Sequence, residues 1–274
     1  MSLRREAKMC KRGGRSCGEI IEELEKKYPL NMAESWDNSG LQAGSRGVEV
    51  EKVYIALDAT DQVIEKARNV GTDLLLTHHP LLFAPIKKVN TDDFTGRRIV
   101  SLIQSGISCY AMHTNYDVVT MGALAGEMLG LCQAEVMEVT YEDGERKEGF
   151  GRTGELPGEM TLLECGEHVK KVFGLETVKI FGNLQQKVTR AAVLPGSGKS
   201  MVKAALNTGA QVLITGDFGH HDGIDAVMQG LAVIDAGHYG IEHIFIPQMA
   251  AYMKEKFPEL EIFTEEIENP FTVI

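Results

Sequence analysis

The sequence has few cysteines, and they form no recognised motif. Its 274 residues include five, at Cys10, Cys17, Cys109, Cys132 and Cys165. An odd, scattered set without a CxxC pair argues against a disulfide framework and against a thiolate zinc site. We therefore expect a cytoplasmic protein.

Long apolar runs are also lacking. No window approaches the number of apolar residues that is needed to cross a bilayer, so we expect no membrane association. Hydrophobic residues nevertheless make up 43% of the chain, which is enough to bury a sizeable core. The length suits one large domain or two of ordinary size.

Basic residues are scarce, and the net charge is −11. The first 17 residues are instead positively charged overall, with six basic residues and one acidic one. Without them the net charge is −16. Such a body repels nucleic-acid phosphate, so nucleic acid is an unlikely partner on charge alone. The basic segment lacks the apolar run of a secretory signal. We expect a disordered tail or a cloning remnant, with an organellar address as the alternative.

Strand-like and helix-like segments alternate along the chain, which predicts an α/β protein. In such folds, ligands collect beyond the carboxyl ends of the strands. Predicted helices cover residues 19–27, 61–71, 91–105 and the start of 199–221. Predicted strands cover residues 53–60, 73–77, the middle of 199–221 and the starts of 106–117, 191–198 and 230–242. Asp143-Gly144 predicts a hairpin, and we place a domain junction near residues 139–159.

The two halves of the chain resemble each other. "ARNVGTDLLLTHH" and "ALNTGAQVLITGDFGHH" share Asn, Gly and Thr at a constant offset of 138 residues. Both end in paired histidines, His78–His79 and His220–His221. The strand-to-loop segments 53–60 and 191–198, and then 106–117 and 230–242, match in the same order. These matches predict a partial internal duplication of a β-α-β-α-β unit.

His78 and His79 follow an apolar strand and precede Pro80. Adjacent side chains diverge, so the pair suits two neighbouring ions better than one. Pro80 biases His79 away from helical dihedrals and so stiffens the loop. The alternative is a pair of loop histidines that bond only to the backbone.

Two later motifs add carboxylates at strand ends. In "HTNYD" (113–117), Asp117 is a candidate ligand or a turn or cap residue, and His113 is a candidate ligand, base or partner of a ligand. In "DAGHYGIEH" (235–243), His238 and Glu242 are four residues apart, so a helical turn would place both on one face. Pairs at this spacing also occur simply on surfaces.

Taken together, three histidines and two carboxylates at strand ends suit borderline divalent ions such as zinc, manganese, iron, cobalt or nickel. Five protein ligands exceed what one catalytic zinc takes while it keeps an open position. Two ions that share a bridging carboxylate would use the set economically and would lower the pKa of a shared water. The sequence therefore predicts a dinuclear metal centre.

Two other features receive plainer interpretations. "PGSGKS" (195–200) resembles part of a phosphate-binding loop, but the full motif needs glycine where Val193 stands. We expect a tight turn there, with a backbone contact to an anion as the alternative. Trp36, the only tryptophan, is expected to anchor its loop in the core.

These motifs resemble those of a known family, the GTP cyclohydrolase I type 2 homologues, also called NGG-interacting-factor-3-like proteins. The similarity extends in family order from about residue 19 to the C-terminus. The segments that carry it are "WDNSGLQAG", "LLLTHHPLLF", "HTNYD", "GFGRTGEL", "ITGDFGHHDGIDA" and "IDAGHYGIE".

The resemblance implies two intertwined, three-layer α/β/α domains, a ring-shaped homohexamer and two divalent metal ions inside the ring. On this basis we assign residues 1–128 and 236–274 to a first domain that carries most metal ligands, and residues 129–235 to a second. A single split near residue 130 is the alternative. Longer family members insert an extra domain where this chain has only the hairpin region.

The family's ligand pattern carries over residue by residue. It implies that His78 and His238 bind one ion, that His79 and Asp117 bind the other, and that Glu242 bridges both.

The family name implies hydrolytic opening of the guanine imidazole ring of GTP with release of formate. We therefore expect a metal-dependent hydrolase that acts on a small molecule, a nucleotide or a related heterocycle. His113, His220 and His221 are the candidates to move protons or to orient ligands. The alternative is a non-catalytic metal-binding ring protein that acts as an interaction partner, regulator or metal carrier.

Overall fold

A computed structural model describes residues 14–274 and confirms the α/β class, with sheets of six, five and two strands. The strands are β1 (Arg15–Ser16), β2 (Gly40–Ala43), β3 (Glu49–Val50), β4 (Lys52–Ala56), β5 (Leu74–Thr77), β6 (Ser108–Ala111), β7 (Cys132–Asp143), β8 (Arg146–Thr161), β9 (Lys179–Phe181), β10 (Lys187–Ser197), β11 (Val212–Gly216), β12 (Ala232–Asp235) and β13 (Glu261–Thr264). The α-helices are α1 (Cys17–Lys27), α2 (Asp61–Val70), α3 (Phe94–Ser105), α4 (Thr114–Tyr116), α5 (Gly122–Met128), α6 (Leu162–Phe173), α7 (Val202–Asn207), α8 (His220–Met228), α9 (His238–Glu242) and α10 (Phe245–Lys256).

By contacts between residues, the chain forms two compact units, and each is built from three separate segments. Unit 1 comprises residues 14–27, 40–111 and 249–265, and unit 2 comprises residues 28–39, 112–248 and 266–274. The chain therefore alternates between the units, in agreement with intertwined domains. We placed four segments in the first domain that belong to unit 2, namely residues 28–39, 112–128, 236–248 and 266–274. The assignment of the two domains stays a prediction.

The five-stranded sheet of unit 1 has the order β13-β4-β5-β6-β2. Its first four strands are parallel, and β2 is antiparallel at the edge. Leu74–Leu76 in the central strand β5 are completely buried, as expected of a strand covered on both faces. The preceding helix, α2, is capped by the Thr60 side chain and ends at Gly71, whose φ of 74° suits glycine. His78 and His79 thus come directly after the carboxyl end of a central parallel strand.

The six-stranded sheet of unit 2 has the order β7-β8-β10-β11-β12-β9. Strands β10, β11 and β12 are parallel, and the outer strands are antiparallel to their neighbours. Val212–Ile214 in β11 are completely buried. Gly209, with φ 76°, lies two residues after the end of α7, and Gly71, with φ 74°, comes directly after α2. This likeness supports the internal duplication, which stays a prediction.

The predicted hairpin at Asp143-Gly144 is present and is longer than the sequence indicates. β7 and β8 pair from Cys132 opposite Glu155 to Asp143 opposite Arg146. Both strands belong to the sheet of unit 2, so neither unit ends within residues 139–159. Most residues of β7 are exposed, and the strand therefore lacks the alternation of buried and polar positions that would mark it in the sequence.

The basic N-terminal segment is not wholly a tail. Arg15–Ser16 pairs with Glu49–Val50, and the fully buried Cys17 begins α1. The prediction of a disordered tail is therefore wrong for residues 15–17, whereas residues 1–13 lie outside the described part of the chain. Among the helices of residues 14–274, none is both long enough and apolar enough to cross a membrane.

Candidate metal centre

In unit 1, His78 and His79 remain bonded to the neighbouring chain after β5 has ended. Their backbone N–H groups donate to the carbonyl oxygens of Ala56 and Leu57, at 3.3 and 2.9 Å. His78 is completely buried, and the centroids of the two rings are 4.9 Å apart with the planes inclined at 50°. The backbone of β4 and of the residue after it thus fixes both histidines, and the predicted divergence of their side chains towards two ions stays a prediction.

A carboxylate sets the orientation of the His79 ring. Asp58 lies two residues beyond β4, and its Oδ1 is 2.9 Å from Nδ1 of His79. Metal-binding histidines commonly donate one ring N–H to a carboxylate, which fixes the tautomer and leaves the other nitrogen for the metal. His79 therefore has the arrangement of a metal ligand that would bind through Nε2.

In unit 2, the predicted helical turn between His238 and Glu242 is confirmed as α9. Nε2 of His238 lies 3.0 Å from Oε2 of Glu242, and Nδ1 of His238 lies 2.8 Å from Oδ2 of Asp217. The Glu242 side chain is almost fully buried. Burial of a carboxylate is unfavourable unless cations or donors surround it, so this pair suits a positively charged ligand.

The backbone around α9 leaves space for the side chains of His238 and Glu242. Asp217 has φ 53°, a conformation that non-glycine residues seldom adopt and that is often found at functional sites. A Cβ at Gly216 would lie 2.7 Å from Cα of His238, and one at Gly196 would lie 2.6 Å from Oε1 of Glu242. The "PGSG" turn therefore makes room for a carboxylate.

A third aspartate–histidine pair also lies in unit 2. Oδ1 of Asp37 is 2.7 Å from Nδ1 of His113, and Oδ2 accepts hydrogen bonds from the backbone N–H and hydroxyl of Thr114, at 3.1 and 2.6 Å. Burial alone would raise the pKa of Asp37, but the hydrogen bonds from His113 and Thr114 outweigh it and hold that pKa well below its usual range. Asp37 is therefore a buried anion that holds His113 in place.

Asp117 begins a π-helical segment, Asp117–Met121, one turn after His113. Its backbone N–H donates to the carbonyl oxygen of His113 at 3.0 Å, and the residue is half-buried. Isolated π-helical turns occur often at functional sites. The local structure thus places His113 and Asp117 on successive turns, and their roles stay predictions.

His220 and His221 occupy the first turn of α8. Their ring centroids are 5.1 Å apart, and both residues are exposed. Their local structure differs from that of His78 and His79, which lie in a loop bonded to the sheet. Their catalytic role stays a prediction.

The expectation for Trp36 is wrong. Its side chain does not anchor the loop in the core, since 57% of the residue is exposed. The neighbouring Asp37 anchors the loop instead, through its bonds to His113 and Thr114.

Sequence reasoning missed the three aspartates that orient the histidines. Two of them leave a signal, because Asp58 and Asp217 each follow a strand and each lies 21 residues before its histidine. Each such pair joins the ends of two adjacent parallel strands. Asp37 lies in a loop 76 residues from His113, and no short-range pattern marks it.

Unit 1 thus contains histidines, and unit 2 contains histidines and a carboxylate, that could hold a metal ion. Within unit 1 the ligand atoms of His78 and His79, and within unit 2 those of His238 and Glu242, lie within 4.8 Å of each other. Imidazole and carboxylate ligands suit borderline divalent ions. The fold and these side chains define an α/β protein with a candidate metal site.

Comparison with known proteins identifies the family. A family model described as Duf34/NIF3 (NGG1p interacting factor 3) matches residues 16–270. The chain belongs to this family, and the resemblance inferred from its motifs is confirmed.

Curated relatives match over nearly their whole length. The chain is 36% identical to the GTP cyclohydrolase 1 type 2 homolog of Clostridium perfringens, over 93% of this chain and 98% of the relative. It is also 36% identical to the protein of the same name from Lactococcus lactis, over 91% and 96%.

Solved structures agree on the fold. A Bacillus cereus protein related to NIF3 superposes with a TM-score of 0.87 at 26% identity and covers 95% of this chain and 99% of its own. Reduced HcgD from Methanocaldococcus jannaschii gives a TM-score of 0.80 at 30% identity, with 93% and 99% covered.

We predict that Asp37→Asn lowers the free energy of unfolding at pH 7 by about 2 kcal/mol, because it removes charge-assisted hydrogen bonds from a buried site. A group with a lowered pKa in the folded state contributes fully above its ordinary pKa and loses that contribution as the pH falls. The gap between wild type and variant should therefore narrow only below about pH 4. Urea titrations at several pH values measure it.

The exposed Asp225→Asn serves as the matched control for the Asp37 experiment and should leave stability unchanged. A gap for Asp37→Asn that stays constant down to pH 3 would show that the carboxylate is not the stabilising group.

Proposed function

We propose that this protein binds two divalent metal ions and uses them to hydrolyse a nucleotide or a related heterocycle. The observation that carries the proposal is the repeated pairing of an aspartate with Nδ1 of a histidine, at His79, His113 and His238. Hydrogen bonding of this kind prepares imidazoles to bind metal ions.

In this proposal, the ligands are those that the family resemblance implies. His78 and His238 bind one ion, His79 and Asp117 bind the other, and Glu242 bridges them. The donor chemistry fits, because imidazoles and carboxylates together suit zinc, manganese or iron.

When bound, two such ions would supply a water of lowered pKa and would polarise a substrate oxygen. The protein's own side chains supply positioning and proton transfer. Asp37 accepts from Nδ1 of His113, so Nε2 of His113 is left to accept a proton or to contact a ligand. His220 and His221 are further candidates for contacts with the substrate.

Two properties of relatives support a nucleotide substrate over other small molecules. The curated relatives are named GTP cyclohydrolase 1 type 2 homologs, and they match this chain over at least nine-tenths of its length. The ring-shaped homohexamer and the cytoplasmic location inferred from the sequence belong to the same proposal.

We expect about two divalent ions per purified chain after equilibration with manganese or zinc, as two-metal sites require. Glu242→Ala should reduce this to fewer than one, because the bridging carboxylate contributes to both ions. Elemental analysis by mass spectrometry measures the content. Glu148→Ala is the matched control, since Glu148 is a half-buried glutamate of the same unit that pairs with arginines. Unchanged metal in Glu242→Ala would contradict the bridging role.

Asp217→Asn should weaken metal binding by about 10- to 100-fold, the usual effect of removing a carboxylate that orients a histidine ligand. A chelator competition titration gives the dissociation constant. Asp225→Asn, an exposed aspartate on α8, should bind as the wild type does. Equal affinities for Asp217→Asn and wild type would mean that His238 does not depend on this partner.

The metal-loaded protein should release formate from GTP or from another purine nucleotide. His79→Ala should lower the rate by more than about 100-fold, since loss of a supporting residue alone costs about 10- to 100-fold at metal sites. His168→Ala is the control, because His168 bonds to the Leu129 carbonyl and lies outside the proposed ligand set. Absence of turnover on every nucleotide, with metal binding intact, would instead favour the metal-binding ring protein.

A further inference from the structure

Trp36 exposes most of a large flat side chain on a loop with a fixed backbone. The residue is 57% exposed, although tryptophan is usually well buried. The backbone on both sides is held, because Glu34 N–H donates to the Thr114 hydroxyl at 2.9 Å and Asp37 N–H donates to the Glu34 carbonyl at 2.9 Å. The indole is therefore presented to solvent from a rigid support.

The exposed indole lies next to a candidate catalytic residue. The centroids of the Trp36 and His113 rings are 6.0 Å apart, and the rings meet edge to face at 75°. Asp37, the next residue along the chain, bonds to the same imidazole. The rings of Trp36 and His113 thus lie side by side in unit 2, and we call this pair the Trp36–His113 site.

The chemistry of the Trp36–His113 site favours binding of a substrate's heterocyclic ring over binding of its phosphates. The segments 34–39 and 113–117 contain no lysine or arginine, and the whole chain is acidic. Side-chain cations that would bind phosphate are therefore missing from these segments. Flat nitrogen heterocycles stack on aromatic side chains whatever the charge of the rest of the molecule.

We propose that Trp36 is a specificity-determining residue that stacks on the planar heterocycle of the substrate, a purine base or a ring of similar size. This inference rests on the proposed function, because it assigns the substrate class of the same site. It excludes sugar phosphates without a base as substrates of comparable affinity.

Trp36 is the only tryptophan of the chain, so its fluorescence reports on this position alone. With metal-loaded protein, guanosine and GTP should quench the fluorescence in a saturable way, whereas ribose 5-phosphate and inorganic triphosphate should not. Calorimetry on the same samples records binding independently. Quenching by triphosphate alone, nucleotide binding without a change in fluorescence, or no quenching by any of the four common nucleosides would each overturn the proposal.

Variants separate stacking from a general effect on the fold. Trp36→Leu should raise the calorimetric Kd for GTP by about 5- to 150-fold, the range that base stacking on an aromatic ring contributes. Trp36→Phe, which keeps a flat ring, should recover most of the affinity. Phe94→Leu is the matched control, because Phe94 is 58% exposed on α3 of unit 1 and should bind as the wild type does.

The outcomes distinguish this inference from the proposed function. If the wild type hydrolyses GTP but Trp36→Leu keeps the same KM and Kd, the stacking role is wrong and the hydrolase stands. If purines quench Trp36 and Trp36→Leu binds them weakly, but no nucleotide is turned over, the stacking role stands and the hydrolase does not.

Discussion

The hydrogen bond from a histidine Nδ1 to an aspartate is the interaction on which the candidate centre depends. It occurs at His79, His113 and His238, at 2.7 to 2.9 Å. Each bond fixes ring rotation and tautomer together, which a neutral imidazole needs before it can bind a cation. Two of the three aspartates follow strands, so the pairing of strands in the sheet determines where the imidazoles point.

The helices and strands can be predicted from the sequence more completely than the site can. The leucines of β5 and the glycine that ends α2 predict their elements, because local chemistry decides them. The four-residue spacing of His238 and Glu242 likewise predicts their shared helical face. The aspartate partners escape prediction, since a bond between positions 58 and 79 depends on two strands lying side by side. Exposure of Trp36 escapes it for the same reason, because only tertiary packing decides which face of a loop is covered.

The predicted internal repeat does not place the aspartate–histidine pairs correctly. The matched segments align β5 with β11, which puts His220 and His221 in the place of His78 and His79. In the structure, the aspartate–histidine pair of unit 2 joins the ends of β11 and β12, whereas that of unit 1 joins the ends of β4 and β5. Both units thus contain an aspartate–histidine pair at the ends of two adjacent strands. In unit 2 this pair lies one strand later than the sequence alignment would place it.

The position of β13 has a consequence for biosynthesis. This strand pairs with β4, so that Ile262 lies opposite Val53, and the five-stranded sheet is incomplete until residues 261–264 have left the ribosome. Contacts between such distant positions slow folding and leave unfinished sheet edges exposed to self-association. A chain that stops before codon 261 therefore leaves one edge of β4 unpaired, although β4 keeps its pairing with β5.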